Sequence, residues 1–390
     1  MKNIKTLSII LFSILTFSAC STPEPVEQDG TMLWLANGRS YEDVLNSVVT
    51  KIDSSLTKEE YHIYDADGKR YISGGSQSAI RYGVYALQRA EVLGKADTGL
   101  DIHEKPYYEY RILNHWDNLD DTVERGYAGL SMWEWTAEEI PVKRIHHYGE
   151  LCASVGLNGA VLNNVNANPH ILDKEHIKRV SQIANILREY GITTYLSIKW
   201  TSPITLSGLK SGDPLDLKVR QWWKDKAAEI YAAIPDFGGF LVKANSEGQA
   251  GPQDYGRTHA DGANMLAEAV APYGGIIMWR AFVYSPTSSD RANQAVEEFK
   301  SLDGQFADNV IIQIKNGPID FQPREPFSPL FGQLYNTPMM MEFQITQEYL
   351  GFSNHLVYHG TTYEECLDSD TYRDGKGSTI AKMVKALSLI

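Results

Sequence analysis

From residue 110 onward the chain alternates short apolar runs with longer amphipathic stretches. The runs cover residues 111–113, 159–162, 193–198, 239–242, 275–279, 310–314 and 338–343. They are brief, rich in Ile, Leu, Val, Phe and Met, and bordered by Gly, Asn or Pro, which is how buried strands read. Stretches 142–155, 174–190, 219–234, 262–271 and 291–300 instead place apolar residues three and four apart, the spacing of a helix with one buried face. Strand and helix in succession predict βαβ units around a parallel sheet. Seven such units favour a (β/α)8 barrel of the TIM type over a doubly wound sheet, which is normally shorter. No Gly-x-Gly-x-x-Gly or Walker sequence opens any of these helices, which counts against nucleotide-binding α/β folds.

Both ends of the chain depart from this rhythm. Residues 31–105 predict a small α/β domain, with a helix over 41–52, a strand over 61–64 and a helix over 76–92, and nothing in it suggests chemistry. Residues 21–30 are polar and contain proline, as a linker does. Residues 1–20 begin with Lys2 and Lys5, continue in an apolar run over 7–17 and end in Ser18-Ala19-Cys20. A run this short is an export signal and not a membrane span, which needs about 20 apolar residues. Its ending resembles a bacterial lipobox, which implies cleavage before Cys20 and lipidation of its thiol. The protein is then exported and lipid-anchored, periplasmic or at the cell surface, and touches membrane only through that anchor. A plain signal peptide with an incidental Cys20 is the blander alternative. At the other end, 106–390 reads as the barrel domain, yet no run after 338–343 reads as an eighth strand. The tail Lys385-Ala386-Leu387-Ser388-Leu389-Ile390 has the look of a truncated ending. The expectation is a barrel lacking its last strand, with two open edges and little or no activity.

The polar residues fall where a barrel would use them, at the C-terminal ends of the strands. Just past the runs come Asn114-His115-Trp116-Asp117-Asn118, Asn163-Asn164-Val165-Asn166, Lys199-Trp200, Lys243-Ala244-Asn245-Ser246-Glu247, Arg280, Lys315 to Asp320, and Gln344 to Glu348. Polar loops are ordinary one at a time; seven of them converge on one pocket if the barrel closes. Glu247, Asp320 and Glu348 are carboxylates of the kind glycoside hydrolysis uses, although any single one of them reads as well as a surface group. Lys243, Arg280 and Lys315 exceed what a neutral sugar needs and suit a ligand carboxylate, or they neutralise the catalytic acids and tune them.

Composition narrows this further. The chain has 390 residues, 43% hydrophobic and 22% charged, enough to build a core. A net charge of -13 argues against nucleic acid as a partner. Three cysteines give no disulfide framework, so Cys152 and Cys366 read as thiols. Ten histidines include no His-x-x-x-His spacing on a helix, and the adjacent His146-His147 cannot share a face, so neither metal nor other cofactor is expected.

Several long strings carry a specific resemblance. They are Arg111-Ile112-Leu113-Asn114-His115-Trp116-Asp117-Asn118 with Val123-Glu124-Arg125-Gly126-Tyr127-Ala128-Gly129, then Pro235-Asp236-Phe237-Gly238-Gly239-Phe240-Leu241-Val242-Lys243-Ala244, and Tyr255-Gly256-Arg257-Thr258-His259-Ala260-Asp261-Gly262-Ala263-Asn264. Asp303-Gly304-Gln305-Phe306, Gln313-Ile314-Lys315-Asn316-Gly317-Pro318-Ile319-Asp320-Phe321-Gln322 and Met341-Glu342-Phe343-Gln344-Ile345-Thr346-Gln347-Glu348-Tyr349 complete the set. Together they resemble glycoside hydrolase family 67 α-glucuronidases over roughly residues 60 to 380. The resemblance implies release of (4-O-methyl)glucuronic acid from xylose in glucuronoxylan oligosaccharides, with inversion. It assigns Glu247 as general acid and Asp320 with Glu348 as the pair that activates water. Lys243, Arg280 and Lys315 line the glucuronate pocket, and Trp116 packs on the sugar. Glu342 competes with Glu348, because even spacing along a strand keeps both on one face. The family's helical C-terminal domain, which contributes to dimerisation in full-length relatives, has no counterpart in the strings above. Two alternatives stand beside this reading: a hydrolase of another uronate-bearing glycan, and a lipid-anchored glycan-binding protein or inactive remnant.

Overall fold

The structure is a computed structural model that describes residues 39–390 apart from 125–128, 247, 282–289, 291, 318–326, 346–358, 385 and 390. It begins with a small sheet and a helix layer. Helix α1 (Tyr41–Asn46) starts at Ser40, whose side chain accepts the Asp43 N–H. Strands β1 (Val49–Ile52), β2 (Tyr61–Ala66) and β3 (Lys69–Gly74), helix α2 (Gln77–Val92) and strand β4 (Asp101–Glu104) follow. The strand order is β1-β3-β2-β4, with β1 parallel to β3 and the other pairs antiparallel.

Two sequence expectations change here. The helix expected over 41–52 stops at Asn46, and Val49–Ile52 is a strand. Its β-branched residues gain more from pairing with β3 than from another helical turn, where their side chains lose freedom. The strand β3 was not expected at all, although Asp67-Gly68 is a two-residue hairpin connection with φ of 49 and 72 at its two positions. Ile63, Ile72, Ile80, Val84 and Leu87 make the core between sheet and α2.

The remainder is a closed barrel of eight parallel strands: β5 (Tyr110–Asn114), β6 (Gly159–Val161), β7 (Thr193–Ile198), β8 (Gly239–Val242), β9 (Ile276–Arg280), β10 (Val310–Lys315), β11 (Met339–Phe343) and β12 (Ala386–Leu389). Helices α3 (Val142–Ser154), α4 (Lys174–Glu189), α5 (Ser202–Ser207), α6 (Leu217–Ala233), α7 (His259–Val270), α8 (Gln294–Phe299), α9 (Gly360–Asp368) and α10 (Ile380–Met383) connect them. All seven runs read from the sequence are strands. The missing eighth strand is a correction. β12 pairs with β11 from Met340↔Ala386 to Phe343↔Leu389 and with β5 from Ala386↔Tyr110 to Leu389↔Leu113. Ala-Leu-Ser-Leu contains no β-branched or aromatic residue, and four residues are too few to show a period. This strand is imposed by two neighbouring ladders, a tertiary effect that local sequence does not carry.

Alternate residues of each strand face the lumen and the helices. Outward, Leu196, Phe240, Ile277 and Ile312 pack against Ile183, Trp223, Ile230 and Leu266 of the helix ring. Inward, Ile112, Val161, Tyr195, Leu241, Met278, Ile311 and Met340 form an apolar plug. Gly239 has φ +126, and a Cβ there would lie 1.9 Å from the Ile276 carbonyl oxygen, so only glycine lets β8 and β9 approach. The small domain is tied to the barrel through Glu59, whose carboxylate accepts from Arg111 Nη2 at 2.9 Å and Asn158 Nδ2 at 3.1 Å.

Closure by β12 predicts the effect of deleting residues 386–390. Two ladders would open, and the melting temperature should fall on the order of 10 °C or more, with aggregation. Thermal unfolding and size-exclusion chromatography check this; an unchanged melt would contradict the closure.

Candidate active site

Above the apolar plug the inward positions become polar. The same alternation that turns Ile112, Tyr195, Leu241, Met278, Ile311 and Met340 inward brings Asn114, Ser197, Lys243, Arg280, Gln313 and Glu342 to the C-terminal end of the lumen, with Lys315 and Gln344 one step higher. All eight are buried. A buried charge needs a partner. Glu342 is 0% exposed and Arg280 2%, and they supply that to each other. Arg280 Nε donates to Glu342 Oε2 at 2.8 Å and Nη2 to Oε1 at 2.6 Å, a bidentate fork. Gln313 Nε2 donates to the same Oε2 at 2.5 Å.

The strands set this geometry. Gln313 of β10 is in register with Arg280 of β9, and Lys315 of β10 with Glu342 of β11. Burial pushes the Glu342 carboxyl up, but Arg280, Lys315 and the Gln313 amide outweigh it and hold the group below its ordinary value. Glu342 is an anion locked to a cation.

Lys243, buried just past β8, donates to Asn166 Oδ1 at 2.8 Å. The Asn166 amide donates in turn to Glu124 Oε1 at 3.4 Å, and Asn164 Nδ2 to Glu124 Oε2 at 2.5 Å. Asn164 Oδ1 accepts the Asn166 N–H at 2.9 Å, closing the network. In the sequence Glu124 stands out only within a motif string, and its role in placing Lys243 depends on a loop-to-loop contact that spacing cannot reveal. Trp116 packs against the lumen cluster at the mouth of β5.

Other strand-end residues are structural. Asn163 accepts the Ser197 N–H at 2.9 Å and donates to the Ser197 carbonyl at 3.0 Å, adding a rung between β6 and β7. His115 bonds the Tyr148 hydroxyl at 2.8 Å, and Asp117 accepts from Ser131 Oγ at 2.7 Å and the Met132 N–H at 2.8 Å. Trp200 faces the helix ring, edge-on to Trp279. Cys152 and Cys366 are free and buried.

Glu247, Asp320 and Glu348 lie outside the described residues, as does Cys20. Their flanks are described. Asn245 is held at φ 52 with Gln253 N–H donating to its side chain, and Ser246 bridges Gln249 on either side of Glu247. A non-glycine residue at positive φ stores strain that the surrounding bonds must offset. The three carboxylates follow β8, β10 and β11 respectively, the strands that carry or immediately precede Lys243, Lys315 and Glu342.

A family model described as the glycosyl hydrolase family 67 middle domain matches residues 92–388. The chain belongs to glycosyl hydrolase family 67. Among similar family relatives is alpha-glucuronidase A of Emericella nidulans, 45% identical over 344 residues, which covers 84% of this chain and 40% of the relative. The alpha-glucuronidase of Hypocrea jecorina is 42% identical over 357 residues, covering 88% of this chain and 42% of the relative. The family 67 chain thus spans about two fifths of the length of these relatives. Solved structures share its fold. A GH138 enzyme targeting pectin rhamnogalacturonan II superposes with a TM-score of 0.53 at 14% identity, over 94% of this chain and 45% of that one. The GH20 beta-N-acetylhexosaminidase of Streptomyces coelicolor A3(2) gives 0.51 at 11% identity, over 90% and 78%.

The locked Glu342 has a consequence for stability against pH. Its folded pKa lies below the ordinary 4.5, so its contribution is present above that value and is lost as pH falls through the lowered one. Glu342→Gln should cost about 3 kcal/mol at neutral pH by removing the bidentate carboxylate bonded to Arg280, and its stability should fall less steeply on acidification than that of the parent. Denaturant melts at neutral and acidic pH check both; parallel acid limbs would contradict the ionised state. Asn166→Ala should destabilise by about 1–3 kcal/mol through loss of the bond its side chain accepts from the Lys243 ammonium, read in the same melts.

Proposed function

We propose that this chain carries the catalytic site of a glycosidase that removes (4-O-methyl)glucuronic acid α-1,2-linked to xylose in xylo-oligosaccharides from glucuronoxylan. The observation that carries the reading is the charge at the mouth of the lumen: Lys243, Arg280 and Lys315 share the ends of β8 to β11 with one described carboxylate, Glu342. Three buried cations exceed what a neutral sugar needs. A uronate suits them, because its carboxylate takes charge-assisted bonds from them in a site shielded from water. The named activity of the similar relatives points the same way.

In this reading the parallel barrel is a (β/α)8 catalytic scaffold of the TIM type, with chemistry at the C-terminal face. Lys243, Arg280 and Lys315 hold the uronate, and Trp116 packs along the ring. Glu247 donates a proton to the glycosidic oxygen as its bond to the anomeric carbon breaks. Asp320 and Glu348 take a proton from the water that attacks the opposite face, so the product is the inverted β anomer. An acid and base serving that water stand ~6.5–9.5 Å apart. Cys20 carries a lipid that anchors the exported protein to a bacterial membrane.

Incubation with aldouronic oligosaccharides, followed by NMR of the first product, tests the chemistry. β-Glucuronic acid should appear first, and Glu247→Gln or Asp320→Asn should slow its release on the order of 10²–10⁴-fold. Full activity in Glu247→Gln would refute the acid assignment. Binding without turnover would favour a glycan-binding protein, and release from other uronosides alone would favour another glycan. For the anchor, labelled palmitate should enter the parent and not Cys20→Ser; equal labelling would refute it.

A further inference from the structure

We propose that Glu342 is a positioning residue that sets the acid-sugar selectivity of the site by fixing Arg280, and that it takes no proton from water. The inference rests on reading the lumen as a uronate pocket. Its own support is geometric. Arg280 has five N–H donors on a planar fork, and its orientation decides which edge meets a ligand. Glu342 engages the Nε and Nη2 side at 2.8 and 2.6 Å, and Gln313 clamps the carboxylate from the intervening strand at 2.5 Å. Three consecutive strands, β9, β10 and β11, therefore fix one guanidinium in one plane, and the rest of its edge is aimed by that choice.

The same contacts disqualify Glu342 as the base. A base needs a water within hydrogen-bond reach and an acidity near the working pH. Both Glu342 oxygens are taken by Arg280, one of them also by Gln313, and the residue has no exposed surface. A fixed anion here does something else. Arg280 and Lys315 are neighbours across the Glu342 position, since Lys315 is in register with it and Arg280 is bonded to it. Two cations meant for one ligand carboxylate repel each other before that ligand arrives. Glu342 offsets this repulsion from below, and the fork holds Arg280 in place. The sugar then meets a preformed receptor and does not have to order it.

The test is calorimetric binding of glucuronate and glucose to the parent chain, Glu342→Gln, Glu342→Asp, Arg280→Lys and the paired variants, beside the pH profile of aldouronate hydrolysis. Glu342→Gln should weaken glucuronate binding on the order of tenfold to a hundredfold, leave the weak glucose affinity unmoved, and thereby erode the preference for the acid sugar. Arg280→Lys should do the same, and the double variant should lose no more than the worse single one. The acidic limb of the pH profile should persist in Glu342→Gln, and added azide or formate should restore nothing. If Glu342→Gln does not fold, the cycle with Glu342→Asp, which keeps the charge and shortens the arm, reads the same coupling. Intact glucuronate binding with lost turnover that formate restores would make Glu342 the base and overturn the proposal. Strictly additive losses would also overturn it, since Glu342 would not act through Arg280. A parent chain that binds glucuronate no better than glucose would refute the uronate reading itself, an outcome distinct from either.

Discussion

Among the described residues, the strand wall at the mouth of this barrel is organised around one buried pair, Arg280 and Glu342. Neither charge could remain there alone: removing an ion from water costs several kcal/mol, and the pair is stable because its geometry is bidentate and Gln313 takes up a further lone pair. That requirement fixes three strands relative to one another and makes parallel register a condition of function. With Glu342 committed to Arg280, Lys315 stands beside the pair, in register with Glu342.

The apolar plug strengthens the charges that lie above it. Ile112, Tyr195, Leu241, Met278 and Met340 close the lumen below the polar layer, so the cations act in a medium of lower dielectric than water. Lys243 is supported from the opposite side by Asn166, Asn164 and Glu124, a network that belongs to loops and not to strands. Rigid strands place one wall of the pocket and loop residues place the other. Sites on such barrels vary by changing the loops while the strand wall stays.

How much of this was legible in the sequence follows from where each signal resides. Six of the seven strand runs were readable because they are buried on both faces and therefore largely apolar, while β5 is only partly buried. β12 was not, because Ala386–Leu389 is a strand only by virtue of β11 and β5 on either side. β1 and β3 were lost for a similar reason, with Asp67-Gly68 the one local clue that could have recovered the hairpin. In the site, Lys243, Arg280 and Lys315 were visible as cations at strand ends. Their partners were not: Arg280 and Glu342 are 62 residues apart, Lys243 and Asn166 are 77 apart, and no spacing rule connects them. Parity along the strand puts Glu342 and Glu348 on one face, and the pairing of Glu342 with Arg280 is visible only in the contacts.

Membership of glycosyl hydrolase family 67 accounts for the chain's long similarity to alpha-glucuronidases over about two fifths of their length. The central claim is narrower: a uronate is recognised by cations that a buried glutamate holds ready. A crystal structure of the chain soaked with glucuronic acid tests it most directly. The account predicts the sugar carboxylate within about 3 Å of Arg280 and Lys315, with the Arg280–Glu342 fork unchanged from its empty geometry. Arg280 swung away from Glu342 to meet the sugar, or Glu342 itself bonded to the ring, would contradict it.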